Sequence, residues 1–92
     1  MANMVRSLVK VSGKNWERQC IIDTKWEPPL SIIEQISRSF PKVDITITWA
    51  GESLDQTGEI CYKDGWETFW YYPEENSDDA RSIYDRIRRS VG

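Results

Sequence analysis

Ninety-two residues, 39% hydrophobic and 29% charged, describe one soluble globular domain with room for a sheet and a helix layer but not for two cores. No apolar run approaches the roughly 18 residues of a membrane span, and no basic stretch leads into an apolar one at the N-terminus, so the expected compartment is the cytoplasm. The net charge is −3 and there is no histidine, which removes the commonest general base and metal ligand and with it any Ser–His–Asp or Cys–His site.

Residues 4–11, MVRSLVKV, alternate as a strand, with Val5, Val9 and Val11 on one side and Arg6, Leu8 and Lys10 on the other. Ser12-Gly13-Lys14-Asn15 punctuates the chain, and residues 17–24, ERQCIIDT, read as a second strand on which Cys20 and Ile22 share a face. Cys20 and Cys61 both sit in strand-like runs and are expected to be small buried hydrophobes rather than a disulfide or a zinc site, since the chain has no CxxC. Pro28 and Pro29 suit a helix start, and Ser31 with Glu34 also fits a capping box. Ile32, Ile33, Ile36 and Phe40 form the apolar stripe of that helix, which Pro41 ends.

Residues 43–49, VDITITW, alternate cleanly as a half-buried strand. Residues 50–56 form a loop. Residues 57–63 and 66–72 are strands joined by Asp64-Gly65, a type I′ hairpin signal. Ser77 caps a last helix whose first turn carries Asp78 and Asp79; Ala80, Ile83, Tyr84, Ile87 and Val91 form its stripe. The order ββαβββα predicts a single α+β domain over residues 1–92: a two-layer, mostly antiparallel sheet with both helices on one face and the other face open.

The hairpin carries the functional question. A two-residue turn pairs Lys63 with Trp66, Tyr62 with Glu67, Cys61 with Thr68, Ile60 with Phe69 and Glu59 with Trp70. Ile60, Tyr62, Phe69 and Tyr71 then face the helices. Glu59, Cys61, Lys63, Trp66, Thr68, Trp70 and Tyr72 face outward. A three-residue turn would reverse the split. The outer set reads either as cover for the sheet or as an aromatic patch for a partner.

Acid surrounds it. Between Glu52 and Asp79 there are nine acidic residues and one basic one, whereas residues 80–92 hold four arginines and one acid. The middle of the chain should repel a phosphate backbone and attract a basic surface. Glu74, Glu75, Asp78 and Asp79 are either a solvated helix start or the rim of that patch; they lack the alternating spacing of a calcium loop.

The stretch IIDTKWEPPLSIIEQISRSFPKVDITITW, with Gly58-Glu59 and Lys63-Asp64-Gly65, resembles the YubB-type ferredoxin-like domain family of plasmids and phages. The resemblance rests on Asp23-Thr24, Trp26, Pro28-Pro29, Phe40-Pro41 and the strand after them, and spans about two thirds of the chain. It departs from the family in having Met4-Val5 where Trp-Cys is usual, and in reducing a long insertion after the first strand to a turn. The resemblance implies a ferredoxin-like fold and a mobile-element origin, and no settled activity. The cluster of Asp23, Trp26 and Pro28 reads as a strand end, a packing ring and a helix start.

The favoured expectation is an interaction protein that inhibits a host-defence nucleoprotein. In its sharpest form it is an anti-CRISPR that blocks a nucleic-acid site on a Cas effector subunit through Glu59, Trp66, Trp70, Tyr72, Glu74, Glu75, Asp78 and Asp79. A single-strand nucleic-acid module, using the open-face aromatics with Arg81, Arg86, Arg88 and Arg89, is a second reading. A homodimeric accessory domain, paired through the aromatic face, is a third. No nucleophile–base pair, metal spacing or cofactor motif points to an enzyme, and no cofactor is expected.

Overall fold

The computed structural model describes residues 3–52 and 56–91, the last of these without its side chain. Residues 53–55 of the expected loop and the Val91 side chain of the expected stripe lie outside the described set. The elements are β1 (Met4–Ser12), β2 (Glu17–Lys25), α1 (Leu30–Ser39), β3 (Asp44–Gly51), β4 (Thr57–Lys63), β5 (Trp66–Tyr71) and α2 (Asp78–Val91). All pairings in the five-stranded sheet are antiparallel, in the order β2-β1-β3-β4-β5. The α+β class, the antiparallel sheet and the element order are those read from the sequence.

The helices do not share a face. Ile33 of α1 packs with Val5 and Val9 of β1, Ile45, Ile47 and Trp49 of β3, and Ile60 and Tyr62 of β4. Ile83 and Ile87 of α2 pack with Leu8 of β1 and Ala50 of β3. On a strand, residues of opposite parity point to opposite faces. Val9 and Leu8, like Trp49 and Ala50, therefore belong to different sides. The domain has three layers, with α1 and α2 on either side of the sheet, and the expected open face does not exist. The physical reason lies in β1 and β3. Both strands are buried on both sides at their centres, where Ser7, Leu8 and Val9 and the run from Ile47 to Gly51 are buried without alternation. A strand buried on both faces needs a layer on each.

The connections agree with this arrangement. β2 and β3 run parallel with β1 between them, so α1 must cross the sheet on one side. Leu30 opens α1 after Pro29, and Ser31 makes no capping hydrogen bond. Of the expected stripe only Ile33 is buried; Ser37 takes the second buried position, and Ile32, Ile36 and Phe40 are exposed. Ser37 is buried because its Oγ accepts the Gly65 backbone N–H at 3.0 Å, which ties α1 to the hairpin turn. Asp64 and Gly65 both have positive φ, 52° and 78°, as a type I′ turn requires. At α2, the Ala80 N–H donates to Ser77 Oγ at 3.1 Å, the expected cap, and Ala80, Ile83 and Ile87 are buried as the stripe predicted.

Trp49 is the largest residue of the core and one glycine makes room for it. A Cβ on Gly58, its cross-strand partner, would lie 2.3 Å from the indole. The two cysteines depart from expectation. Cys20 is exposed and Cys61 half-buried, because Cys20 lies on edge strand β2, away from the strands that α1 covers.

Candidate functional site

The β4–β5 hairpin follows its expected register for two pairs and then leaves it. Lys63 pairs with Trp66 and Tyr62 with Glu67, but Cys61 pairs with Phe69, Ile60 with Trp70 and Glu59 with Tyr71. A bulge on β5 takes up Thr68, whose Oγ1 donates to the Cys61 carbonyl at 3.3 Å. Beyond the bulge every aromatic changes sides. Trp70 shares the α1 face with Ile60, and Phe69 and Tyr71 share the α2 face with Cys61 and Glu59. The expected division of the aromatics is corrected accordingly.

Burial is decided by the edge rather than by the face. β5 ends the sheet, and all six of its residues are exposed. Trp66 is 75% exposed, Trp70 61% and Tyr72 56%. Phe69 and Tyr71 are exposed as well, and sequence reasoning had placed them in the core. The signal that would have found them is the position of β5: a strand that directly precedes the final helix and pairs with only one neighbour. Tyr72 is partly anchored, with its ring 5.9 Å from Trp49 in an edge-to-face contact.

The eight residues expected to bind a partner divide into two groups. Glu59 is occupied internally: its Oε2 accepts Arg86 Nη1 at 2.8 Å and Thr48 Oγ1 at 3.2 Å. Asp79 is occupied too, since its Oδ2 accepts the Tyr71 hydroxyl at 2.7 Å. That hydrogen bond raises the Tyr71 pKa above its ordinary value. Both contacts brace the hairpin against α2. Trp66, Trp70, Tyr72, Glu74, Glu75 and Asp78 remain exposed along β5 and the turn after it, and Glu67 joins them from β5 itself. The site that emerges is one sheet edge with aromatic side chains on both faces and carboxylates at its C-terminal end.

The cluster of Asp23, Trp26 and Pro28 is a brace at the far edge. Arg6 Nε and Nη2 donate to the two carboxylate oxygens of Asp23 at 2.8 and 3.0 Å. This hydrogen bonding holds the Asp23 carboxyl below its ordinary pKa, against a smaller opposing effect of burial. Trp26 has a φ of 71°, an unfavourable conformation for a tryptophan. Its backbone is pinned on both sides, N–H to the Asn3 carbonyl at 2.7 Å and C=O to Gln56 Nε2 at 2.9 Å. Its indole is 61% exposed, so it is not the packing ring the sequence suggested.

Comparison with the curated proteins and with the solved structures returns no match. The family described as a ferredoxin-like domain in Api92-like protein matches residues 12–86, from the end of β1 into the second half of α2. That span holds the hairpin, its acidic turn and all but one strand of the sheet. The chain belongs to this ferredoxin-like family.

Proposed function

We propose that the chain is an interaction domain that docks through the β5 edge onto a basic protein surface. The surface is one that otherwise holds nucleic acid in a host-defence nucleoprotein, with a Cas effector subunit as the first target to test. On this reading the protein is an inhibitor of the anti-CRISPR kind, carried by a phage or plasmid, and a shortened relative of the YubB-type proteins. It performs no catalysis.

One observation carries the reading: an edge strand with every residue exposed, five aromatic side chains between Trp66 and Tyr72, and no charged guard except Glu67. Soluble proteins normally protect such an edge. An extended segment of a partner can add to β5 as a sixth strand, with main-chain hydrogen bonds supplying affinity. The aromatics anchor it, and Glu67, Glu74, Glu75 and Asp78 select a basic partner. The base-stacking alternative asks for a helix-free sheet face, and here each face carries a helix.

The test is retention of a purified, guide-loaded Cas effector by the immobilised protein, beside Trp66→Ala/Trp70→Ala and Glu74→Lys/Glu75→Lys variants whose folding is verified by circular dichroism. The expected result is retention by the wild type, loss by the aromatic variant, and loss that deepens with salt by the charge variant. Equal retention by all three would refute the proposed surface. Retention of single-stranded DNA, or a dimer by sizing that the aromatic variant abolishes, would move the assignment to the other readings.

A further inference from the structure

A second concave site lies at the opposite side of the sheet, on the α2 face. It is a cleft of about 610 Å³ between the last turns of α2 and the ends of β1, β2 and β3. That volume falls within the range of small-molecule sites, roughly 300–1,000 Å³. Ala50 and Ile87, both buried, form an apolar floor, and Met4 and Tyr84 extend it. The floor exists because α2 packs on β1, β3 and β4, while β2 adds only Ile21 to that core.

The charges in the wall are unequally satisfied. Asp23 is held by two hydrogen bonds from Arg6. Glu52 accepts the Met4 N–H at 3.3 Å. Arg86, two residues earlier on α2, is paired with Glu59. Arg88 lines the cleft and has no acceptor among the described residues. Arg6 has spent only Nε and one proton of Nη2 on Asp23, so its Nη1 protons and the second Nη2 proton remain available. Formal charge in the lining balances, Arg6 and Arg88 against Asp23 and Glu52, and Arg88 is the guanidinium that has no acceptor among the described residues.

We propose that this cleft binds a small amphipathic carboxylate. Its apolar body lies on Ala50, Met4 and Ile87, and its carboxylate takes the guanidinium of Arg88, with the free donors of Arg6 behind it. A guanidinium meets a carboxylate in a two-pronged geometry that a neutral isostere cannot use. The site does not involve β5 and stands whatever the fate of the docking proposal.

The experiment is titration of the ¹⁵N-labelled protein with 3-phenylpropionate, and with 3-phenylpropanamide as the uncharged twin, followed by amide chemical shifts. The expected result is saturable shifts confined to Met4, Ala50, Gly51 and Ile87, and affinity for the amide roughly tenfold or more weaker, as loss of a charged hydrogen bond predicts. Arg88→Gln should show the same loss. Arg89→Gln, the same change of net charge one residue on and outside the cleft, should match the wild type. Unsaturated or scattered shifts, equal binding of acid and amide, or equal effects of the two arginine variants would each overturn the assignment. Both arginines are exposed, and the unperturbed spectrum of each variant verifies its fold.

Discussion

β3 and β5 are built from similar residues and have opposite fates. β3 sets one tryptophan among β-branched residues and β5 sets two among other aromatics, and both are ordinary strand compositions. β3 lies between two strands and under two helices, and its residues from Ile47 to Gly51 are all buried. β5 has one neighbour, neither helix shields it, and nothing in it is buried. Aromatic content alone thus does not separate core from contact surface; position in the sheet does. The other edge makes the point again. β2 is longer, but it carries Glu17, Arg18, Asp23 and Lys25 along its length, the usual protection of an edge. β5 carries one charge.

The comparison breaks most visibly at Trp49. Trp49→Ala should cost about 3–5 kcal/mol, because the indole is buried against Gly58 and no neighbour can fill its volume. Denaturant midpoints would show it, and a small loss would mean that β3 is not the centre of the core. Alkaline pH comes next, through Tyr62, the β4 residue paired with Ile45 of β3. Burial pushes the Tyr62 hydroxyl up to about 12. A group whose pKa rises on folding stabilises fully below its unfolded value, near 10, and loses that contribution as pH climbs through the folded one. The loss between pH 10 and 12 should amount to about 2 kcal/mol at most, and should vanish in Tyr62→Phe measured over the same range. Tyr71 of β5 is also raised, by a hydrogen bond to Asp79 at the surface, and Tyr71→Phe should flatten the pH profile far less. The smallest effect belongs to β5. Trp66→Ala should change stability by no more than about 0.5 kcal/mol, as expected for a surface side chain. A cost comparable to that of Trp49→Ala would make Trp66 part of the core and remove the ground for a docking edge.

Element order, the I′ turn, the Ser77 cap and the α2 stripe were legible because each has a local cause: alternation, a two-residue DG, a capping hydroxyl, a 3.6-residue period. The layers were not. Alternation in residues 43–49 pointed to one buried face, but Ala50 and Gly51 continue the strand and are small enough for α2 to pack close. Thr48 and Arg6 disguise a second buried side by being polar. The bulge at Thr68 was also invisible, since threonine is an ordinary strand residue and nothing local marks it as unpaired. Its cost to the reading was large, because it reassigned Phe69, Trp70 and Tyr71 together. Of the site, the aromatics and the acidic turn were legible as types. That Glu59 and Asp79 are occupied by Arg86 and Tyr71 depended on contacts across 27 and 8 residues.

The bulge bears on how such a surface changes over generations. In a straight ladder, exchanging the faces of three aromatics would take several substitutions. Here a single inserted residue does it, and the turn between Tyr72 and Ser77 takes up the slack before α2 begins. A lineage that gains or loses one codon at this point presents a different set of rings to its surroundings while its core stays as it was. That is a short mutational path to a new surface.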